Sequence, residues 1–323
     1  MSARRAAPEL LPLPLLTTSL KKRVGKVRRG DLARPVAAGA SFADWLDSLP
    51  GILAGRDLRD LAAAIVNARR KKREVLLGIG AHVIKCGLSP WIVALMEEGL
   101  LTGVAMNGAG AIHDFELAYA GSTSEDVGPA LEDGSFGMAR ETADFLNGAA
   151  ADAALGGLGF GETLGQSILE EGLPNAGLSI TAAGARLGIP ITVHVAIGTD
   201  IVHMHPSASG AAIGEASLID FHRFAARVER LEGGVYLNTG SAVILPEVFL
   251  KVLAMARNRK KGLPRHFVTA NLDFIPAYRP LTNVVRRPTS GGGTGYQITG
   301  HHELMLPLLF TAVREGLATR GKR

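Results

Sequence analysis

Short apolar runs and amphipathic stretches alternate along this chain. Val75 to Leu77 is a continuous apolar run leading into Gly78, Gly80 and Gly87. Ser89 and Pro90 then open an amphipathic run to Leu100, and a second apolar run closes on Asn107-Gly108-Ala109-Gly110. Between Glu74 and Glu116 the pattern predicts strand, loop, helix, strand, loop. Upstream, Ser41 suits the N-cap of a short helix ending before Pro50. Leu58, Leu61, Ala62, Ile65 and Val66 share one face of a helix over 57–72, whose cations at 69–73 suit the dipole at its end. Downstream, helical periodicity returns over 139–147, 162–171 and 178–187, and Pro190 opens a strand over 191–197 that ends in Gly198-Thr199-Asp200. A helix over 215–231, a strand over 235–237, a helix over 246–256 and a strand over 267–272 follow. Residues 276–295 read as a long Pro- and Gly-rich connection, and 302–317 as a closing helix.

Strands that alternate with helices imply an α/β fold: a mainly parallel sheet covered by helices on both faces. In such a sheet the loops leaving the strands' carboxyl ends gather at one edge, where helix N-termini present unpaired N–H groups and glycines let a ligand approach the backbone. The loops Gly78–Gly87 and Asn107–Asp114 both leave from that edge and carry His82, Lys85, His113 and Asp114 among small residues. Glycines that merely turn the chain account for either loop alone. Two in series favour a binding site.

Composition changes this picture little. The 323 residues are 47% hydrophobic and only 5% aromatic, which suits close helix-on-sheet packing. One cysteine, Cys86, cannot form an internal disulfide, which points to a reducing, cytoplasmic setting. The run Leu10–Leu16 is broken by Pro12 and Pro14, and no apolar run approaches the roughly 18 residues that span a bilayer, so no membrane partner is expected.

Charge is more informative by location. Residues 1–35 hold nine Lys and Arg against Glu9 and Asp31, so the net +5 divides into +7 there and −2 over the rest. The chain therefore divides into a basic N-terminal arm, 1–40, and one domain, 41–323. A solvated or subunit-docking arm fits better than a nucleic-acid contact, because no aromatic is interleaved for base stacking.

The succession GAHVIKCG, NGAGAIHDF, a strand ending in Thr-Asp, NTGSAV and a late helix preceded by a glycine-rich segment resembles the deoxyhypusine synthase family over roughly 74–315. The resemblance implies a Rossmann-like NAD-binding domain, a homotetramer with sites at subunit interfaces, and transfer of an aminobutyl group to a protein lysine. The family's first dinucleotide loop falls on Ala81, His82, Val83, Ile84 and Lys85, and its second on Gly108, Ala109 and Gly110 followed by His113 and Asp114. The pair that contacts the cofactor ribose falls on Thr199 and Asp200, and the glycine-rich loop after the next strand on Gly240 and Ser241. NAD is the cofactor these positions imply.

The substrate half departs from the family. Its imine-forming lysine precedes the last helix, yet no lysine occurs here between Lys261 and Lys322, and a guanidinium is not a nucleophile. His113 stands for one family carboxylate, a second falls near His205, and the substrate-binding histidine falls near Pro246. The expectation is an NAD-dependent enzyme with altered chemistry on an amine or other small molecule, with His82, Lys85, His113 and Asp114 as catalytic candidates and Arg286 and Arg287 as possible anion contacts. Two other readings stay open. One is a metal-assisted hydrolase or lyase using His203 and His205, with His301, His302, His113 or Cys86 completing the site; the other is a non-catalytic NAD-binding relative.

Overall fold

The five residues Val75–Ile79 are all buried and form β1, the pivot of a six-stranded sheet in the computed structural model, which describes residues 15–318. The other strands are β2 (Gly103–Asn107), β3 (Ile191–His194), β4 (Val235–Thr239), β5 (Val268–Asp273) and β6 (Thr294–Thr299). Every pairing is parallel and the order is β3-β2-β1-β4-β5-β6. The order reverses at β1, where β2 lies on one side and β4 on the other; this is the Rossmann-like arrangement whose switch point favours ligand binding.

Helices supply the connections. In chain order they are α1 (Phe42–Ser48), α2 (Leu53–Arg70), α3 (Ala81–Lys85), α4 (Ser89–Glu97), α5 (Gly108–Ala120), α6 (Val127–Asp133), α7 (Arg140–Gly156), α8 (Phe160–Glu170) and α9 (Ile180–Leu187). Beyond β3 come α10 (Gly210–Val228), α11 (Ile244–Arg259), the short turn α12 (Tyr278–Pro280) running into a π-helical turn Leu281–Arg286, and α13 (His302–Ala318).

Alternation along the strands assigns the faces. Leu76, Ala105 and Tyr236 pack with Phe224 of α10 and Phe249 and Leu253 of α11. Leu77, Ile79, Val104 and Met106 pack in the opposite cluster with Leu61 and Ile65 of α2, Ile92 of α4 and Leu309 of α13. Each such fully buried aliphatic contributes about 1.5–3 kcal/mol. Among the described residues, no helix is long and apolar enough to cross a membrane.

Four expectations are corrected. The strand from Ile191 ends at His194, because Val195 gives its amide to Ser217 Oγ instead of a neighbouring strand. The loop expected at Asn107–Asp114 is the first two turns of α5, capped by the Asn107 side chain accepting from the Gly110 amide at 3.1 Å. The loop after Gly80 contains α3, and the Pro/Gly-rich connection gives way to β6, an edge strand paired along its length with β5. In the basic arm, Lys21, Lys22, Arg23, Lys26, Arg28 and Arg29 are exposed, while Arg4, Arg5 and the first five residues of Leu10–Leu16 lie outside the described residues.

Candidate functional site

The carboxyl edge of the sheet is built by two close approaches of glycine. A Cβ at Gly80, just past β1, would overlap the Gly240 carbonyl oxygen past β4, and the Gly80 amide donates to Thr239 O at 2.9 Å. The switch point is thereby closed by backbone on backbone. A Cβ at Gly108, the first residue of α5, would overlap the Asp200 carboxylate. Absence of that Cβ lets the acid lie over the helix N-terminus, where the dipole favours negative charge.

Asp200 is 8% exposed. Burial pushes its pKa up, opposed by the charges of His203 and His113 and by the Ala109 amide. His203 Nδ1 accepts from the amides of Gly198 at 3.1 Å and Asp200 at 3.3 Å, which places its proton on Nε2, 4.0 Å from Asp200 Oδ2. The carboxylate thus lies beside the Ala109 amide and the His203 ring and lines open space.

That space is a cavity of about 580 Å³ over β1, β2 and β3. Ala109, Ile112, His113 and Glu116 of α5 line it, with Lys85 of α3, Thr123, and Thr199 and Asp200 of the loop after β3. Its floor carries a hydrogen-bonded relay. Thr123 donates its hydroxyl proton to Glu116 Oε2, so His113 Nδ1, 2.6 Å from Thr123 Oγ1, must be the donor in that contact. The neutral ring then keeps Nε2 unprotonated, as an acceptor or base. Burial raises the Glu116 pKa, but the nearby His113 and hydrogen bonds from Thr123 and Thr142 outweigh it and hold the carboxyl below its ordinary value. A depressed folded-state pKa adds stability above the ordinary glutamate pKa and loses it as pH falls through the folded value. Glu116→Gln should therefore flatten the acid-side loss of stability in denaturant titrations across pH; identical acid slopes would contradict this placement.

The sequence-derived candidates distribute unevenly. Lys85, Ala109, His113, Thr199 and Asp200 meet at the cavity, and Gly108 lies beneath Asp200. Lys85 forms no ion pair among the described residues. Gly110 is buried against Asn107 and Met106, and Ala81, His82, Gly240 and Ser241 lie outside the lining. Ser241 Oγ instead accepts from the Leu245 amide as a cap of α11.

Asp114 is corrected most plainly. It is fully buried, away from the cavity, with its carboxylate accepting from Ser179 Oγ, Thr181 Oγ1 and the amides of Ile180 and Thr181 at 2.6–3.0 Å. It ties down the first turn of α9, inside the core and away from any ligand-facing surface. His205 Nε2 donates to Gly137 O, while His203 Nδ1 serves its own loop, so these two rings do not converge on one ion. Arg287 donates to Asn283 Oδ1, and neither Arg286 nor Arg287 lines the cavity. Glu116 and Thr123 were not among the sequence candidates. The available signal was the spacing Ala109, Ile112, His113, Glu116, which is one helical face once α5 is known to start at Gly108.

No protein-family model and no curated protein sequence matches the chain. Among solved structures it is similar to AgrE in a ternary complex with ornithine and NAD+, with TM-score 0.55, 16% identity, and coverage of 83% of this chain and 34% of AgrE. It is also similar to a conserved protein of LOR/SDH type from Methanococcus maripaludis S2, with TM-score 0.52, 14% identity, and coverage of 82% and 70%. A chain described as a putative deoxyhypusine synthase from Entamoeba histolytica matches only distantly, at TM-score 0.47 and 11% identity over 85% of this chain and 93% of its own. The chain spans about a third of AgrE's length. The likenesses to AgrE and to the LOR/SDH-type protein show a Rossmann-like α/β fold.

Proposed function

We propose that this chain is an NAD-binding α/β enzyme that acts on a small amine or other small molecule, as a homo-oligomer. The observation that carries the reading is the convergence of Asp200, His113 and Lys85 on one cavity at the N-terminus of α5. A buried carboxylate set over a glycine suits the hydroxyls of a ribose, which donate, better than a phosphate. Lys85, across the cavity, suits the phosphates. The AgrE complex with NAD+ supports the choice of cofactor.

Bound NAD+ would supply a two-electron acceptor for hydride. This chain's own share is proton handling. With NAD+ bound, His113 Nε2 would take the proton from the N–H or O–H beside the carbon being oxidised, and Glu116 would stabilise the resulting imidazolium through Thr123. No imine-forming lysine precedes the last helix, so a polyamine transferase mechanism is not part of this reading.

Calorimetric titration of the purified chain with NAD+ tests it. Wild type should bind, and Asp200→Ala should weaken binding roughly tenfold or more, since a hydrogen bond to a charged group contributes about 1.5–3 kcal/mol. A wild-type chain without affinity for either NAD+ or NADH would sink the proposal.

A further inference from the structure

The second cluster of chemistry-bearing side chains lies on α3 and α13, outside the cavity lining. His82 and Cys86 are four residues apart, at the start and the C-cap of α3, so they share one face, and His82 Nε2 is 3.2 Å from Cys86 Sγ. His302, the first residue of α13, brings its ring to 5.5 Å from that of His82, centroid to centroid. One donor atom from each of the three residues lies within 4.8 Å of the others.

His302 makes this more than a chance grouping. It is 1% exposed, yet among the described residues neither ring nitrogen has a hydrogen-bond partner. A buried ring nitrogen left without a partner costs about 1–3 kcal/mol, and Nδ1 is in that position. The Asp273 carboxylate at the end of β5 stands 3.5 Å from His302 Nε2, too long for a good hydrogen bond but placed to orient the ring, as carboxylates behind ligating histidines do. Phe274 packs its ring 5.7 Å from His82 and 5.6 Å from His302, which walls the cluster with apolar surface.

From this geometry we infer that His82, Cys86 and His302 form a binding site for a thiophilic divalent cation, of which Zn²⁺ is the fitting representative. Two imidazoles and one thiolate are a borderline-soft donor set, and Zn²⁺ sites of three protein ligands keep a fourth position for water or another oxygen ligand. Two ligands come from the turn after β1 and one from the helix after β6. A bound ion would therefore clamp the crest loops on either side of the Gly80–Gly240 contact. The three donor atoms need to move together by about an ångström or two to reach the 2.0–2.3 Å of Zn–N and Zn–S bonds.

The test uses the full-length chain without an affinity tag, stripped with chelator and titrated with Co²⁺ under reducing conditions. One equivalent of Co²⁺ per chain should produce a thiolate-to-cobalt charge-transfer band with tetrahedral d–d absorption, and Zn²⁺ should abolish both. Cys86→Ser should remove the charge-transfer band. His82→Ala, at an exposed position that leaves the buried ring in place, should weaken Co²⁺ binding at least tenfold with the melting curve of the metal-free protein unchanged. Absence of a charge-transfer band in wild type, or equal Co²⁺ affinity in wild type and both variants, would overturn the site. None of these readouts depends on NAD binding.

Discussion

Asp114→Ala is expected to cost about 4 kcal/mol of folding stability, enough to leave much of the chain unfolded at moderate temperature. The substitution removes the acceptor for two hydroxyls and two backbone amides in a region without solvent. Each buried donor left unsatisfied costs about 1–3 kcal/mol, and rotation of the two hydroxyls recovers part of that. Urea melts followed by circular dichroism measure the loss. Asp114→Asn should fall between wild type and Ala, because an amide keeps one acceptor but aims its NH₂ at another donor. A loss below about 1 kcal/mol for Ala would mean that the carboxylate does not hold α9. Burial pushes the Asp114 pKa up while its four donors favour the charge, so the group serves structure with both oxygens engaged.

His113 and Asp114 also show what the sequence can and cannot tell about a site. Both are polar, both stand beside a glycine-rich turn, and as loop residues both would be candidates. In a helix, adjacent residues point about 100° apart. Once Asn107 caps α5, His113 falls on the face with Ala109, Ile112 and Glu116, and Asp114 must turn into the core toward Ser179. The residue types were legible; their directions depended on where one helix starts. The same holds for Glu116, overlooked because three residues of separation mean proximity only in a helix.

The sheet was legible in proportion to burial. Val75–Leu77 and Val235–Leu237 are buried and read as strands from their apolar runs, although both strands continue two residues into segments expected to be loop, through Ile79 and Thr239; Thr294–Thr299 is half-exposed at the edge and includes Gly295 and Gln297. Its pattern is too weak to separate from the Pro/Gly-rich segment before it. The meeting of Cys86 with His302 was beyond sequence reading altogether, since it depends on β6 delivering α13 to the carboxyl end of β5.

Two glycines on the same edge should respond to alanine in opposite ways, because what stands opposite each differs. At Gly80 the added Cβ meets the Gly240 carbonyl, which is backbone and cannot turn aside. Gly240 is itself fixed: its φ is +66°, and a Cβ there would come 2.9 Å from His302 Cε1, so relief at Gly80 pushes the β4 loop toward that ring. Gly80→Ala should therefore cost more than about 3 kcal/mol in urea melts. At Gly108 the obstacle is the end of the Asp200 side chain, which can swing away, and an alanine in the first turn of α5 recovers some helix propensity. Gly108→Ala should stay within about 1 kcal/mol of wild type. It should nevertheless lose NAD+ affinity as Asp200→Ala does, since it evicts the same carboxylate from the same place. Equal destabilisation by the two alanines would show that Asp200 is as immovable as backbone, and would argue for a structural rather than a ligand-facing role for that acid.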